Sequence, residues 1–213
     1  EARSAIGYSF VAPLALISQL GLLPHRNGEL RETVQLLREL SEGLSPEVST
    51  VQNLAKGIAQ ALHGKLPVVY AGGFLSGVAR RWKTQLNENS KVWAFSEEIP
   101  ELGHNSIEGY CLPKQIKDSA SVVLLHSYHL FPRTSVRYQA VEELLVEQGI
   151  PCRQIDGVGD TPLAHLLSIV MLGDYVSYYL ALLNEVNPAS QKVIDQLKTR
   201  LAESKASQAS PLV

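Results

Sequence analysis

Leu66-Pro67-Val68-Val69-Tyr70-Ala71, closed by Gly72-Gly73, is the stretch that decides the fold. A short apolar run ending in a glycine pair predicts a strand and a tight turn, not the start of a long helix. Helical spacing then follows through Trp82 and Leu86, so the unit is strand, turn, helix. The same punctuation recurs downstream. Val92-Trp93-Ala94-Phe95 reads as a second strand, Val122-Val123-Leu124-Leu125 as a third and Cys152 to Ile155 as a fourth. Arg133 to Gln148 reads as a helix with Val136, Val141, Leu144 and Leu145 inward and Gly149 closing it, and Thr161 to Glu185 as a long apolar helix. Short strands, apolar on both faces and alternating with helices, specify a parallel sheet covered on both sides.

Upstream of this unit the chain reads as helices. Leu30, Val34, Leu37 and Leu40 predict an amphipathic helix over Glu29 to Glu42. A second helix is predicted from its punctuation: Ser45 as N-cap, Pro46 at the first position and Glu47 in the first turn. Val48, Val51, Leu54, Ile58 and Leu62 would form its buried stripe, with Gly64 just past its end. At the other extreme, residues 203–213 are mostly polar and small and are expected to fray.

Apolar residues make up 45% of the chain and charged residues 19%, the range of an ordinary globular protein with a substantial core. The net charge of −2, with no basic run interleaved with aromatics, argues against nucleic acid as a partner. Leu163 to Leu183 is the most apolar stretch, but His165 and Asp174 interrupt it. It reads as a buried helix, and no membrane partner is expected. Cys111 and Cys152 have no Cys or His neighbour at zinc-ligand spacing; they read as inert thiols, which fits a reducing compartment such as the cytoplasm. The chain opens at Glu1 without methionine and is expected to be a fragment, a processed product or a truncated form of a longer polypeptide.

In a parallel sheet of this kind a ligand is expected at the carboxyl ends of the strands. Gly72, Gly73 and Ser76 fall there, as do Glu97 to Asn105, His126 to His129 and Asp156 to Thr161. Gly72-Gly73 before a helix could cradle an anion on backbone N–H groups, but it lacks nucleotide-binding spacing and reads first as a turn. His126 and His129, with His104 elsewhere, have no completing carboxylate or cysteine at a recognisable spacing and read as surface histidines, so no metal site is assigned. Glu88, flanked by Asn87 and Asn89, and His104, in Glu101-Leu102-Gly103-His104-Asn105, read on their own as a polar helix end and part of a solvated acidic loop.

Together these segments resemble a known family. Trp82-Lys83-Thr84-Gln85-Leu86-Asn87-Glu88-Asn89, then Pro100-Glu101 and His104-Asn105, are similar to motifs of the bifunctional phosphoglucose/phosphomannose isomerases. So are Asp174-Tyr175-Val176-Ser177-Tyr178-Tyr179-Leu180-Ala181 and Ile194-Asp195-Gln196-Leu197-Lys198. Ala2-Arg3-Ser4-Ala5-Ile6-Gly7-Tyr8 resembles the segment joining that family's two halves. The resemblance runs from Arg3 to about Leu201. It implies an α/β fold, a three-layer αβα parallel sheet of the sugar isomerase (SIS), flavodoxin-like type, five-stranded, with extra N-terminal helices. Residues 1–64 would then be an inter-domain segment with helices packing on the domain, residues 65–202 the second SIS domain and residues 203–213 the tail.

What the resemblance implies for chemistry is aldose–ketose isomerisation of a phosphorylated hexose through an enediolate, with no cofactor and no metal. Glu88 would be the base that moves the proton between C1 and C2, and burial commonly tunes a carboxylate for such work. His104 would open the sugar ring, supplied across the interface of a homodimer. Lys198 and Arg3 would supply positive charge for the developing oxyanion and Asn105 would contact substrate, while Gly72 and Gly73 are substrate-contact candidates from their place at a strand end and not from the resemblance. Two departures stand out: Gly103 and Ser106 replace an amide and an acid of the family pattern, and Ala189-Ser190-Gln191 occupies the region where some members carry a threonine linked to mannose-phosphate use. The Ser/Thr-rich phosphate loop of SIS domains is not in this chain. It would belong to the family's N-terminal SIS domain, so the chain alone is expected to have little or no activity. A non-catalytic SIS module that binds a phosphosugar or dimerises is the alternative.

Overall fold

Side chains alternate across a strand, so a strand apolar at successive positions has to be covered on both faces. β1 (Leu66–Gly72) is such a strand. Val69 and Ala71 enter one apolar cluster and Tyr70 the other. The computed structural model describes residues 5–208 and places β1 at the centre of a parallel sheet with β2 (Phe95–Ile99), β3 (Ala120–His126) and β4 (Cys152–Asp156), in the order β2-β1-β3-β4. Register pairs Val68 with Phe95 and Val122, and Val122 with Cys152. Among the described residues the sheet has four strands where the resemblance implies five.

The helices are α1 (Ile6–Gln19), α2 (Asn27–Gly43), α3 (Leu54–Leu62), α4 (Ser76–Glu88), α5 (Ile116–Ser119), α6 (Pro132–Glu147), α7 (Pro162–Leu183) and α8 (Lys192–Gln208). α3, α4 and α7 cover the face of Val69, Ala71, Val123 and Leu125. α6 and the short 3₁₀ segments Glu101–His104 and Ser106–Cys111 cover the face of Tyr70, Val122 and Leu124. This is the three-layer αβα arrangement. The chain leaves central β1 for the edge at β2, then crosses back to β3, so the direction of winding reverses between β1 and β3. Where those two strands part, Tyr138 fills the gap: its hydroxyl donates to Leu125 O (2.7 Å) and accepts from Gly72 N–H (2.7 Å).

Four predicted elements are corrected. The second strand runs over Phe95–Ile99, not Val92 to Phe95. β2 is an edge strand paired only with β1, so Glu97 and Glu98 stay exposed while buried Ala94 belongs to the lead-in; hydrophobicity marked the wrong half. The helix predicted from Ser45 begins instead at Leu54. Residues 45–53 form turns, with Val51 98% exposed, and buried Asn53 caps α3 by accepting from Lys56 N–H (3.1 Å) while donating to Ser45 O (3.0 Å). The stripe that packs is Ala55, Ile58, Ala59 and Leu62. On α6 the inward residues are Tyr138, Val141 and Leu145, whereas Val136 and Leu144 are exposed; the bonded Tyr138 hydroxyl rotates the buried stripe. The last helix continues through residues 203–208, and residues 209–213 lie outside the described part.

α7 is long and apolar enough to cross a membrane, but it is the core helix of this fold, with residues from Ala164 to Ala181 buried between the sheet and its neighbouring helices. α1 and α8 differ: Tyr8, Val11 and Leu16 on the first, and Val193, Leu197 and Leu201 on the second, are exposed.

Candidate active site

α4 fixes the position of Glu88. The chain turns at Gly73 with φ +58, a conformation glycine adopts without strain, and α4 starts at Ser76. It then runs back along the sheet, burying Val78, Ala79, Trp82 and Leu86. The rise from Ser76 to Glu88 is about 18 Å, so Glu88 comes out at the amino-terminal pole of the sheet, half-buried.

A polar ladder locks that helix end to α7. Arg81 donates twice to Asp174 (2.9 and 2.8 Å), and Gln85 donates to the same carboxylate (2.7 Å). Asn89 donates to Ser177 Oγ (2.9 Å), Ser90 to Ser177 O (2.6 Å) and Asn184 to Ser90 O (3.0 Å). Gln85, Ser90 and Ser177 are buried. Buried polar groups with satisfied partners specify one arrangement rather than many. The register of α4 against α7 is therefore set within a single turn of Glu88.

Beyond the ladder the chain reverses at Lys91, whose φ is +58. A cavity of about 640 Å³ opens between this turn and the segment entering α8. Its lining includes Glu88, Lys91 and Lys192 together with Asn87, Asn187, Gln191 and Ser190. Val186, Val193 and Ile194 form an apolar floor. One carboxylate, two cations and several neutral hydrogen-bonding groups over an apolar surface suit an anionic polyol. Lys198 is exposed, 3.6 Å from Asp195. It stands one turn beyond Ile194 on the same helix face, about 6 Å further along.

The other predicted site residues lie elsewhere. His104 and Asn105 are exposed on the connection after β2, at the carboxyl pole. Asn105 is engaged locally, accepting from Ser106 N–H (2.5 Å). Gly72 and Gly73 are at the same pole. The Gly72 N–H is spent on Tyr138, and a Cβ on Gly72 would lie 2.6 Å from Ile99 O, so close packing of β1 on β2 accounts for that glycine. Arg3 lies outside the described residues. Within one chain, then, Glu88 and Lys198 share a pole, while His104, Asn105, Gly72 and Gly73 occupy the opposite one. Sequence reasoning missed Lys91 and Lys192: Lys91 is only three residues from Glu88, but nothing local announces its positive φ.

His126, at the end of β3, and His129, just after it, are half-buried and not the surface histidines the sequence suggested. His126 Nδ1 donates to the Asp156 carboxylate at 2.6 Å, and the His129 ring packs tilted against Tyr128 and edge-on against His165. His165 is fully buried, with Nδ1 2.9 Å from Ser127 Oγ and Nε2 2.8 Å from Gly159 O. The carbonyl can only accept, so Nε2 carries the proton and Nδ1 accepts from the serine. Gly157 leaves room for that ring, since a Cβ there would sit 2.5 Å from the His165 Cβ. Burial, the largest influence, pushes the His165 pKa below its ordinary value; the Gly159 carbonyl opposes it. Unfolding restores the ordinary value near 6.5, so the unfolded chain takes up a proton that the native state resists. The stability this contributes is complete above about pH 6.5 and is lost as pH falls toward the depressed native value. We expect urea midpoints to drop between pH 7.5 and 5.5, and His165→Asn to flatten that slope. Equal slopes in the two proteins would rule out His165 as the source. Among the described residues, no group of three or more His, Cys, Asp and Glu is placed to hold a metal ion.

Residues 51–201 match the family described as the bacterial phospho-glucose isomerase C-terminal SIS domain. A bifunctional phosphoglucose/phosphomannose isomerase of Caldicellulosiruptor bescii is 39% identical over 206 residues, which is 96% of this chain and 61% of that protein. The protein of the same name from Aquifex aeolicus is 31% identical over 165 residues, covering 78% of this chain and 51% of that one. The chain thus spans about three-fifths or less of the length of these curated relatives. In fold it is similar to a glucose-6-phosphate isomerase like protein from Thermus thermophilus, with a TM-score of 0.65, 22% identity, and coverage of 83% of this chain and 58% of the other.

Proposed function

The chain belongs to the bacterial phospho-glucose isomerase C-terminal SIS domain family, and from that premise we propose that it is the C-terminal half of a cytoplasmic phosphosugar isomerase. The reaction interconverts fructose 6-phosphate and glucose 6-phosphate. The observation that carries this reading is the position of Glu88 on the wall of a 640 Å³ cavity that also holds two lysines. The names of the relatives agree with it.

Glu88 takes the C1 proton of the open ketose while the C2 carbonyl oxygen gains a proton, giving an enediol. Returning the proton to C2 as the C1 oxygen loses its own gives the aldose. Negative charge develops on oxygen in the transition state, and cations fixed in a partly dry site stabilise it far better than water does. Lys198, one turn beyond the cavity-lining Ile194 on α8, and Arg3 would serve there. Ring opening needs an acid–base group at the ring oxygen, and His104 would come from a second copy of the chain, because its own lies at the other pole. In this reading residues 1–64 link and pack against the SIS domain of residues 65–202, and a preceding SIS domain binds the phosphate.

The intact protein is expected to turn over fructose 6-phosphate in a coupled assay, and the 213-residue chain alone to show little or no rate. Intact protein that binds the sugar phosphate and never converts it would overturn the enzyme reading in favour of a sensor.

A further inference from the structure

A plain turn would carry glycine or asparagine at a position with φ +58, where a Cβ is sterically disfavoured. Residue 91 is a lysine at that φ. What the lysine adds is reach. Its Nζ donates to the main-chain oxygen of Glu88 and, at 3.4 Å, to Pro188 O. One ammonium therefore joins the two walls of the cavity: the helix end that presents Glu88, and the segment leading into α8 with Lys192 and Lys198. The last carbonyls of a helix have no partner within it and mark the negative end of its dipole, so a cation is well placed there on both counts. The bonds from Ser90 and Asn89 hold α4 to α7. Those from Ser190 N–H to Asn187 O and from Ala189 N–H to Asn187 Oδ1 shape the 186–190 segment without tying it to α4. The Lys91 ammonium makes that tie.

We propose that Lys91 is a positioning residue for the isomerase reaction, holding the Glu88 main chain and the opposite cavity wall at a fixed separation. This rests on reading Glu88 as the base. The carboxylate then meets the C1–C2 unit of the bound sugar phosphate in one orientation, and a strained backbone is retained for the clasp it allows. Misplacing a catalytic group by about 1 Å commonly costs on the order of 100-fold in rate, which is the scale the clasp has to protect.

The test uses the intact protein and fructose 6-phosphate. Lys91→Gly removes the ammonium and suits the positive φ, so its Tm should equal or exceed that of the parent. Its kcat should fall by about 10- to 100-fold, with KM changed by less than about threefold. Lys91→Arg, which keeps a cation of similar reach, should recover most of the lost kcat. An unchanged kcat in Lys91→Gly, a loss confined to KM, or no recovery in Lys91→Arg would each overturn the proposal. Glu88→Gln is measured alongside. If it turns over normally, the reading of the base has failed; if it is inactive while Lys91→Gly is unimpaired, only the role of Lys91 has.

Discussion

Gly173→Ala destabilises the domain by about 2–4 kcal/mol, because overpacking and a lost hydrogen bond outweigh a gain in helix propensity. Gly173 is inside α7, where alanine would ordinarily stabilise by up to about 1 kcal/mol. Here α4 approaches so closely that a Cβ would lie 2.3 Å from Trp82 Nε1 and 2.5 Å from Cε2. Trp82 is 1% exposed, with its indole N–H on Ile169 O at 2.9 Å, and the ring cannot retreat without leaving that donor unpaired in the core. Overpacking costs about 1–3 kcal/mol, and a stranded buried donor another 1–3 or so. For a chain of this size the net effect lowers Tm by roughly 5–15 °C. The two influences have opposite signs, so a melt decides between them: an unchanged or higher Tm would show that the contact yields. The damage should also reach the site, because the adjacent residue is Asp174, anchor of Arg81 and Gln85.

The layered fold was legible because it rests on burial on both faces, which leaves a continuous apolar signature in β1 and β3. β2 carried no such signature. An edge strand bonds on one side and exposes Glu97 and Glu98, so local hydrophobicity pointed to Val92 and Ala94 instead. The start of α3 was misread for a related reason. Ser45-Pro46-Glu47 is a sound local helix signal, but the buried Asn53 side chain satisfies both Ser45 O and the Lys56 N–H, and that long-range choice overrides the local one. The same limit applies to the site. Residue types at Glu88 and His104 offered an acid–base pair, yet the rule placing ligands at the carboxyl ends of strands pointed away from Glu88. Helix length and direction alone put it at the far pole, and the Lys91 clasp depends on a backbone angle no spacing encodes.

The opposite positions of Glu88 and His104 lead to the prediction with the largest effect on rate. In the intact protein, Glu88→Gln should lower kcat by about 10³-fold or more, since the amide keeps the shape of the side chain but cannot take the C1 proton. His104→Ala should lower turnover of the cyclic sugar by about 10²-fold. If one site draws Glu88 from one copy and His104 from another, each homodimeric variant is defective at both of its sites. Mixing the two and letting subunits exchange forms heterodimers in half of the population, each with one site built from the intact Glu88 of one subunit and the intact His104 of the other. Activity should then return to about a quarter of the parent value, on the combinatorics of a two-fold dimer with two sites. A site completed within one chain gives no recovery, because every chain in the mixture still lacks one of the two groups. Recovery is the expected result: α4 carries the chain about 18 Å from Ser76 at the carboxyl pole to Glu88 at the opposite pole, while His104 stays on the connection after β2 at the carboxyl pole. A mixture no more active than the sum of its parts would overturn the shared site, whereas parent-level turnover in His104→Ala would remove His104 from the reaction.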